Sequence, residues 1–176
     1  MRVLPPLSLG RHPALLRNVG IILIAALLAS SCGFQLRGHT TLPFDTLFVQ
    51  GSTPLLVELK RNIIAGSHTK VLDQAAGAQA VLAVSLEQRE KVILSLDTAG
   101  RVREYQLRYR VGFRVHDEKG QNWLSTSEIA LTRDISFNDS QVLAKEHEEA
   151  LLYRDMQSDM VQQMVRRLAG AKRSGT

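Results

Sequence analysis

The stretch Glu104-Tyr105-Gln106-Leu107-Arg108-Tyr109-Arg110-Val111-Gly112-Phe113-Arg114-Val115-His116 decides the fold. Its odd positions, Tyr105, Leu107, Tyr109, Val111, Phe113 and Val115, are all apolar or aromatic. Its even positions are polar or charged: Glu104, Gln106, Arg108, Arg110, Arg114 and His116, with Gly112 among them. Successive side chains of a strand point to opposite faces, so a period of two predicts a long strand with one dry and one wet side. Strands of that kind belong to an antiparallel sheet covered on one face only.

Working outward, Ala80–Leu96 carries Leu82, Val84, Leu86, Val92, Leu94 and Leu96 on even positions, interrupted by Gln88 and Glu90. This reads as a second strand, joined to the first by the hairpin connection Asp97-Thr98-Ala99-Gly100. On the other side Asp117-Glu118-Lys119-Gly120 turns the chain, and Trp123, Ile129, Leu131 and Ile135 continue the alternation in a third strand. Upstream, Leu47-Phe48-Val49-Gln50 is a short apolar strand stopped by Gly51. Ser52 or Thr53 then caps a helix with Pro54 at its first position, where a missing N–H costs nothing. Leu55, Leu56, Leu59, Ile63 and Ile64 recur at helical spacing as far as Gly66. A long helix closes the chain, capped by Asn138, Asp139 or Ser140. Leu152, Met156, Met160, Met164 and Leu168 form a stripe in steps of four, with Val161 and Val165 beside it. The expected architecture is an α+β two-layer sandwich, β-α-β-β-β-α, with two helices packed on one face of a mostly antiparallel four-stranded sheet. It occupies residues 47–169, and 170–176 read as a flexible basic tail.

The N-terminus has a different character. Arg2, Arg11 and Arg17 precede the apolar run Val19–Ala29, which ends in Ser30-Ser31-Cys32. Eleven residues rise about 16 Å as a helix, whereas a membrane span takes about 20 residues. A positive segment, a short apolar core and small residues before a cut are the parts of an export signal. An ordinary signal peptidase reading Ala29-x-Ser31 and a lipoprotein peptidase reading Leu28-Ala29-Ser30-Ser31-Cys32 both cut before Cys32 and differ in the fate of its thiol. Cys32 is the only cysteine. No disulfide forms within the chain, and an odd cysteine in an exported protein needs a reason. Lipidation of Cys32 supplies one, and two or three acyl chains there anchor firmly where one anchors marginally. Residues 1–31 are thus expected to be a lipoprotein signal peptide and 32–46 a lipidated leader. The segment Leu28–Cys32 resembles a bacterial lipobox, with Ala29 where leucine is usual. By analogy with lipoprotein sorting, Gly33 in place of aspartate after the cysteine implies the outer membrane.

The chain carries 22 basic and 17 acidic residues, a formal charge of +5. The three arginines of the export segment leave with it, so 19 basic face 17 acidic residues in the mature protein. That balance gives no concentrated basic footprint for nucleic acid. Catalytic motifs are missing too: no Gly-x-Ser-x-Gly, no glycine-rich phosphate loop, no His-Glu-x-x-His. His39, His68, His116 and His147 are scattered without metal-ligand spacing, and no cofactor motif occurs. A non-enzymatic, membrane-anchored binding domain is expected.

Three segments carry a resemblance. Cys32-Gly33-Phe34-Gln35-Leu36-Arg37-Gly38 resembles the start of mature LPS-assembly lipoproteins of the LptE family. Glu104-Tyr105-Gln106 and Val142-Leu143-Ala144-Lys145-Glu146 match further motifs of that family in the same order. The resemblance implies a lipoprotein on the periplasmic side of the outer membrane. Such a protein plugs the LptD β-barrel, assists its assembly, and binds lipopolysaccharide in transit to the cell surface. It also implies lipopolysaccharide contacts at Lys145 and at an arginine before the Glu-Tyr-Gln strand, for which Arg101 and Arg103 are the candidates. Lys145 stands in the first turns of a helix, where a cation opposes the macrodipole. Read without the resemblance, it is a solvated lysine pairing with Glu146 or Glu149. The alternative function is a lipid-anchored periplasmic domain bound to another envelope partner, such as peptidoglycan or a secretion channel.

Overall fold

The computed structural model describes residues 40–173. Strand β1 spans Thr46–Val49, helix α1 Pro54–Gly66, β2 Lys70–Leu72, β3 Ala80–Leu96, β4 Val102–His116 and β5 Asn122–Ser136; after a 3-10 turn at Asp139–Gln141, helix α2 spans Val142–Ala169. Among the described residues the strands form one five-stranded sheet in the order β2-β1-β3-β4-β5. β3, β4 and β5 are an antiparallel meander. β1 runs parallel to both β2 and β3.

The fold is the expected α+β sandwich with one strand more. β2 has only three residues, too few to show alternation, and its ladder forms only because the end of α1 delivers the chain beside β1. The α1 boundaries are those the sequence signals. Thr53 is the N-cap, its hydroxyl accepting from Leu56 N, and Pro54 opens the helix. α2 itself has no side-chain cap, its N-cap being Gln141; Asn138, one of the residues expected to cap it, caps the preceding 3-10 turn instead, accepting from Ser140 N.

Both helices cover the face of β4 that carries its odd residues. Leu107, Tyr109, Val111, Phe113 and Val115 are buried against Leu55, Leu59 and Ile63 of α1 and Met156, Met160, Met164 and Leu168 of α2. Polar bonds lock the two helices together: Glu58 accepts from Gln157 at 2.7 Å and from Ser158 at 2.8 Å. At the far end Ala171 is buried, Lys172 N donates to Trp123 O at 3.1 Å, and Arg173 pairs with Asp117 at 2.9 Å. The segment after α2 therefore begins tied to the sheet.

β3 departs from the even-position pattern expected of it. Val84 pairs with Phe113 but Leu86 with Gly112, so Ser85 is the extra residue of a β-bulge. Gly112 makes room for it, because a Cβ there would lie 3.1 Å from Ser85 Oγ and 3.3 Å from Leu86 Cβ. Past the bulge the faces exchange. Glu87, Arg89 and Lys91 now point toward the helices, while Leu86, Gln88, Glu90 and Val92 lie on the uncovered face. The interrupting Gln88 and Glu90 thereby meet Arg110 on the open side.

The sandwich consequently has two zones. Where α1 and α2 both cover the sheet, the interior is apolar. Beyond Thr53 only the first half of α2 remains, and no residue of it before Met156 is buried. Polar contacts hold it instead: Lys91 to Glu149 at 2.6 Å, Tyr153 Oη to Glu90 O at 2.8 Å, and Arg89 to Gln157 at 2.8 Å.

Candidate functional site

The second zone is where the candidate residues fall. Lys145 lies one turn into α2 and reaches back to the sheet, where its Nζ donates to Ser136 Oγ at 2.9 Å. It also donates to Glu148 Oε2 at 2.8 Å, and its side chain is 17% exposed. The partners foreseen from sequence, Glu146 and Glu149, are not its ion-pair partners: Glu149 belongs to Lys91. A lysine one turn from its carboxylate on a helix faces it directly, which the i,i+3 spacing of Lys145 and Glu148 supplies.

Ser136 is the last residue of β5 and pairs across the ladder with Glu104. Phe137 N donates to Arg103 O at 2.7 Å. The fold thus brings Arg103 and Lys145 to one end of the sheet from positions 42 apart in sequence. Arg101 sits in the β3–β4 turn at the same end, paired with Asp97 at 2.9 Å, with its side chain 71% exposed. The Arg101 N–H, its guanidinium and the Ala99 N–H all donate to Asp97, holding that carboxyl below its ordinary value of 3.8 against the opposing effect of burial. Arg101 therefore also organises its own turn.

Around these cations lie apolar side chains that the fold leaves in water. Ile93, Leu94 and Leu96 project from the end of β3, and Val142 and Leu143 from the start of α2, with Leu143 75% exposed. At this end a cavity of about 230 Å³ has apolar walls of Tyr105, Ile135, Phe137 and Val142 and is lined also by Ser136, by Lys91 and Lys145, and by the carboxylates Glu146 and Glu149. Tyr105 and Phe137 meet edge to face, with centroids 5.3 Å apart. Lys91 lies 4.3 Å from the centre of the Tyr105 ring. Sequence reasoning missed Lys91, because unbroken alternation places it on the opposite face from Tyr105. This end thus combines the cations Lys91, Arg101 and Lys145, each held by a carboxylate, with hydrocarbon surface left in water.

The remaining arginines of β4 face the uncovered side. Arg110 donates to Gln88 at 2.8 Å and approaches Glu90 and Glu128 at 3.7 and 3.9 Å. Arg108 donates to Gln106 at 2.9 Å. Cys32 lies outside the described residues. Among those described, no helix is long and apolar enough to cross a membrane, and no group of three His, Cys, Asp or Glu side chains is placed to hold a metal.

This arrangement of helices on a three-stranded meander defines a class of small bacterial lipoprotein domains. The chain is similar to the uncharacterized lipoprotein B of Nitrosomonas europaea, at 41% identity and a TM-score of 0.68 over 78% of this chain and 90% of that one. It is similar also to the rare lipoprotein B of Shewanella oneidensis, at 27% identity and a TM-score of 0.61 over 71% and 94% of the two chains. The family model described as LptE, lipopolysaccharide assembly, matches residues 44–168. An LPS-assembly lipoprotein LptE of Pectobacterium atrosepticum is 30% identical over 153 residues, 82% of this chain and 80% of its own. The chain belongs to the LptE family.

Proposed function

We propose that this protein is an outer-membrane lipoprotein, held on the periplasmic side by acyl groups on Cys32. It binds lipopolysaccharide on its way to the cell surface, and plugs an LptD-type β-barrel whose assembly it assists. Family membership supports the lipopolysaccharide reading. The observation that carries it is that the sheet register brings the segments holding Lys145, Arg103 and the exposed Ile93, Leu94, Leu96 and Leu143 to one end of the fold. Phosphates on an acylated sugar ask for that combination of cations and apolar surface. The uncovered sheet face, with Arg108, Arg110 and Arg114, supports the barrel reading, since charged residues there can meet a polar barrel interior.

An affinity pull-down of the full chain from detergent-solubilised envelopes tests this directly. A large β-barrel protein and lipopolysaccharide should follow the chain through detergent. Cys32→Ser should end labelling by radioactive palmitate and release the protein from membranes. Recovery with peptidoglycan or a secretion channel in place of the barrel would overturn the reading.

A further inference from the structure

Two lysines that line one cavity are each paired with a glutamate. Lys91 Nζ lies 2.6 Å from Glu149 Oε2, and Lys145 Nζ lies 2.8 Å from Glu148 Oε2. Lys91 comes from β3, and Lys145 and both glutamates come from α2; both lysines line the cavity whose apolar walls include Tyr105, Phe137 and Val142, together with Glu149 and a further carboxylate, Glu146. Resting on the reading of this end as the lipopolysaccharide site, we infer that Lys91 is a second cation of that site. Glu148 and Glu149 are its built-in competitors, which a phosphate of the ligand displaces.

The chemistry runs as an exchange of partners. A lysine one-third exposed or less, beside aromatic and aliphatic walls, is costly to leave unpaired, and the glutamates satisfy it while the site is empty. The exchange never leaves a lysine unpaired, because the phosphate takes the place of the carboxylate, so only the difference between the two partners counts. A phosphate monoester carries about −1.5 to −2 charge and three acceptor oxygens, against one charge and two oxygens for a carboxylate. Glu148 is about half exposed and regains water when released. The apolar walls, with Ile93 and Leu143 outside them, have room for a segment of acyl chain while the head group holds the lysines.

This exchange makes a prediction of sign that a merely structural role does not share. Removing a glutamate charge frees a lysine and tightens binding, whereas removing a lysine charge loosens it. Loss of structure would loosen both. The experiment uses the full chain in detergent, with purified lipopolysaccharide and the same lipopolysaccharide stripped of phosphate. Glu149→Gln and Glu148→Gln should each tighten binding by about two- to fivefold, and Lys91→Gln should weaken it by a similar factor. None of the three should change binding of the dephosphorylated form. Lys91→Arg, which keeps the charge, should restore affinity if Lys91→Gln melts early. Glutamate variants that bind no better, while Lys145→Gln still weakens binding, would overturn the exchange and leave the lipopolysaccharide reading standing. Equal wild-type affinity for the phosphorylated and stripped forms would bring down both.

Discussion

The Tyr109 hydroxyl donates to Glu87 Oε1 at 2.8 Å, and the other oxygen of that carboxylate accepts from Thr53 Oγ1, the N-cap of α1, also at 2.8 Å. One carboxylate thus joins the middle of the sheet to the start of the first helix, at the boundary between the two zones. Burial pushes the Tyr109 hydroxyl from 10.0 up to about 12; Arg89, 4.6 Å from the ring centre, opposes the rise, and the Glu87 carboxylate adds to it.

Because the folded value is the higher one, the folded state holds this proton where the unfolded chain has lost it. The stabilisation is complete below pH 10 and is lost as pH rises through about 12. Tyr109→Phe should cost about 0.5–1.5 kcal/mol at neutral pH through the lost hydrogen bond. It should also flatten the fall of stability above pH 10 relative to wild type. Urea unfolding at pH 8 and pH 11 measures both effects, and an identical alkaline slope in the two proteins would contradict the assignment.

Gly112 faces the bulge, and a side chain there runs into Ser85 and Leu86. Gly112→Val should destabilise by about 1–3 kcal/mol as overpacking, and Gly112→Ala by less. Pairing either with Ser85→Gly should recover part of the loss, since the nearest atom, Ser85 Oγ, is then gone. Thermal melts of the single and double variants decide this.

Phe113 and Arg110 are three positions apart on β4 but on opposite faces. Phe113→Ala should cost about 3–5 kcal/mol as a truncation in a closed core. Arg110→Ala removes one hydrogen bond and two long ion pairs at a half-buried site on the uncovered face, worth about 0–1 kcal/mol. Comparable losses from the two would mean that the covered face has been misassigned.

Lys145→Gln tests the anionic contact more cleanly than Lys145→Asp, because an aspartate would stand against Glu148 one turn away. The fold should lose at most about 1 kcal/mol. Lipopolysaccharide binding should weaken, and wild-type affinity should itself fall with added salt. Undiminished binding at low salt by a normally melting variant would return Lys145 to a purely local role.

How far the sequence was legible follows from what each element rests on. β4 alternates without a break, and the Thr53 cap and Pro54 are local signals, so β4 and α1 were readable. The methionine stripe of α2 was readable for the same reason, being buried where it is periodic. β2 was not, since its three residues are ordered by their neighbours. The face of Lys91 was hidden behind Ser85, a bulge that only pairing with Gly112 reveals. Lys145 and Arg103 could be named through family resemblance, but the anchoring of one at Ser136 and of the other's backbone at Phe137 depends on the register of β4 with β5.

Ser85 is far along the strand from Lys91 and Tyr105, yet it sets the parity of β3 as far as Ile93, where a second irregularity of the ladder begins. Deleting it would swing Gln88, Glu90 and Val92 under the helices and send Glu87, Arg89 and Lys91 outward, while Leu82 and Val84 kept their places. One frame of the strand belongs to the oily half of the molecule and the other to the charged half. A single extra residue thus separates the oily frame from the charged one within one continuous strand.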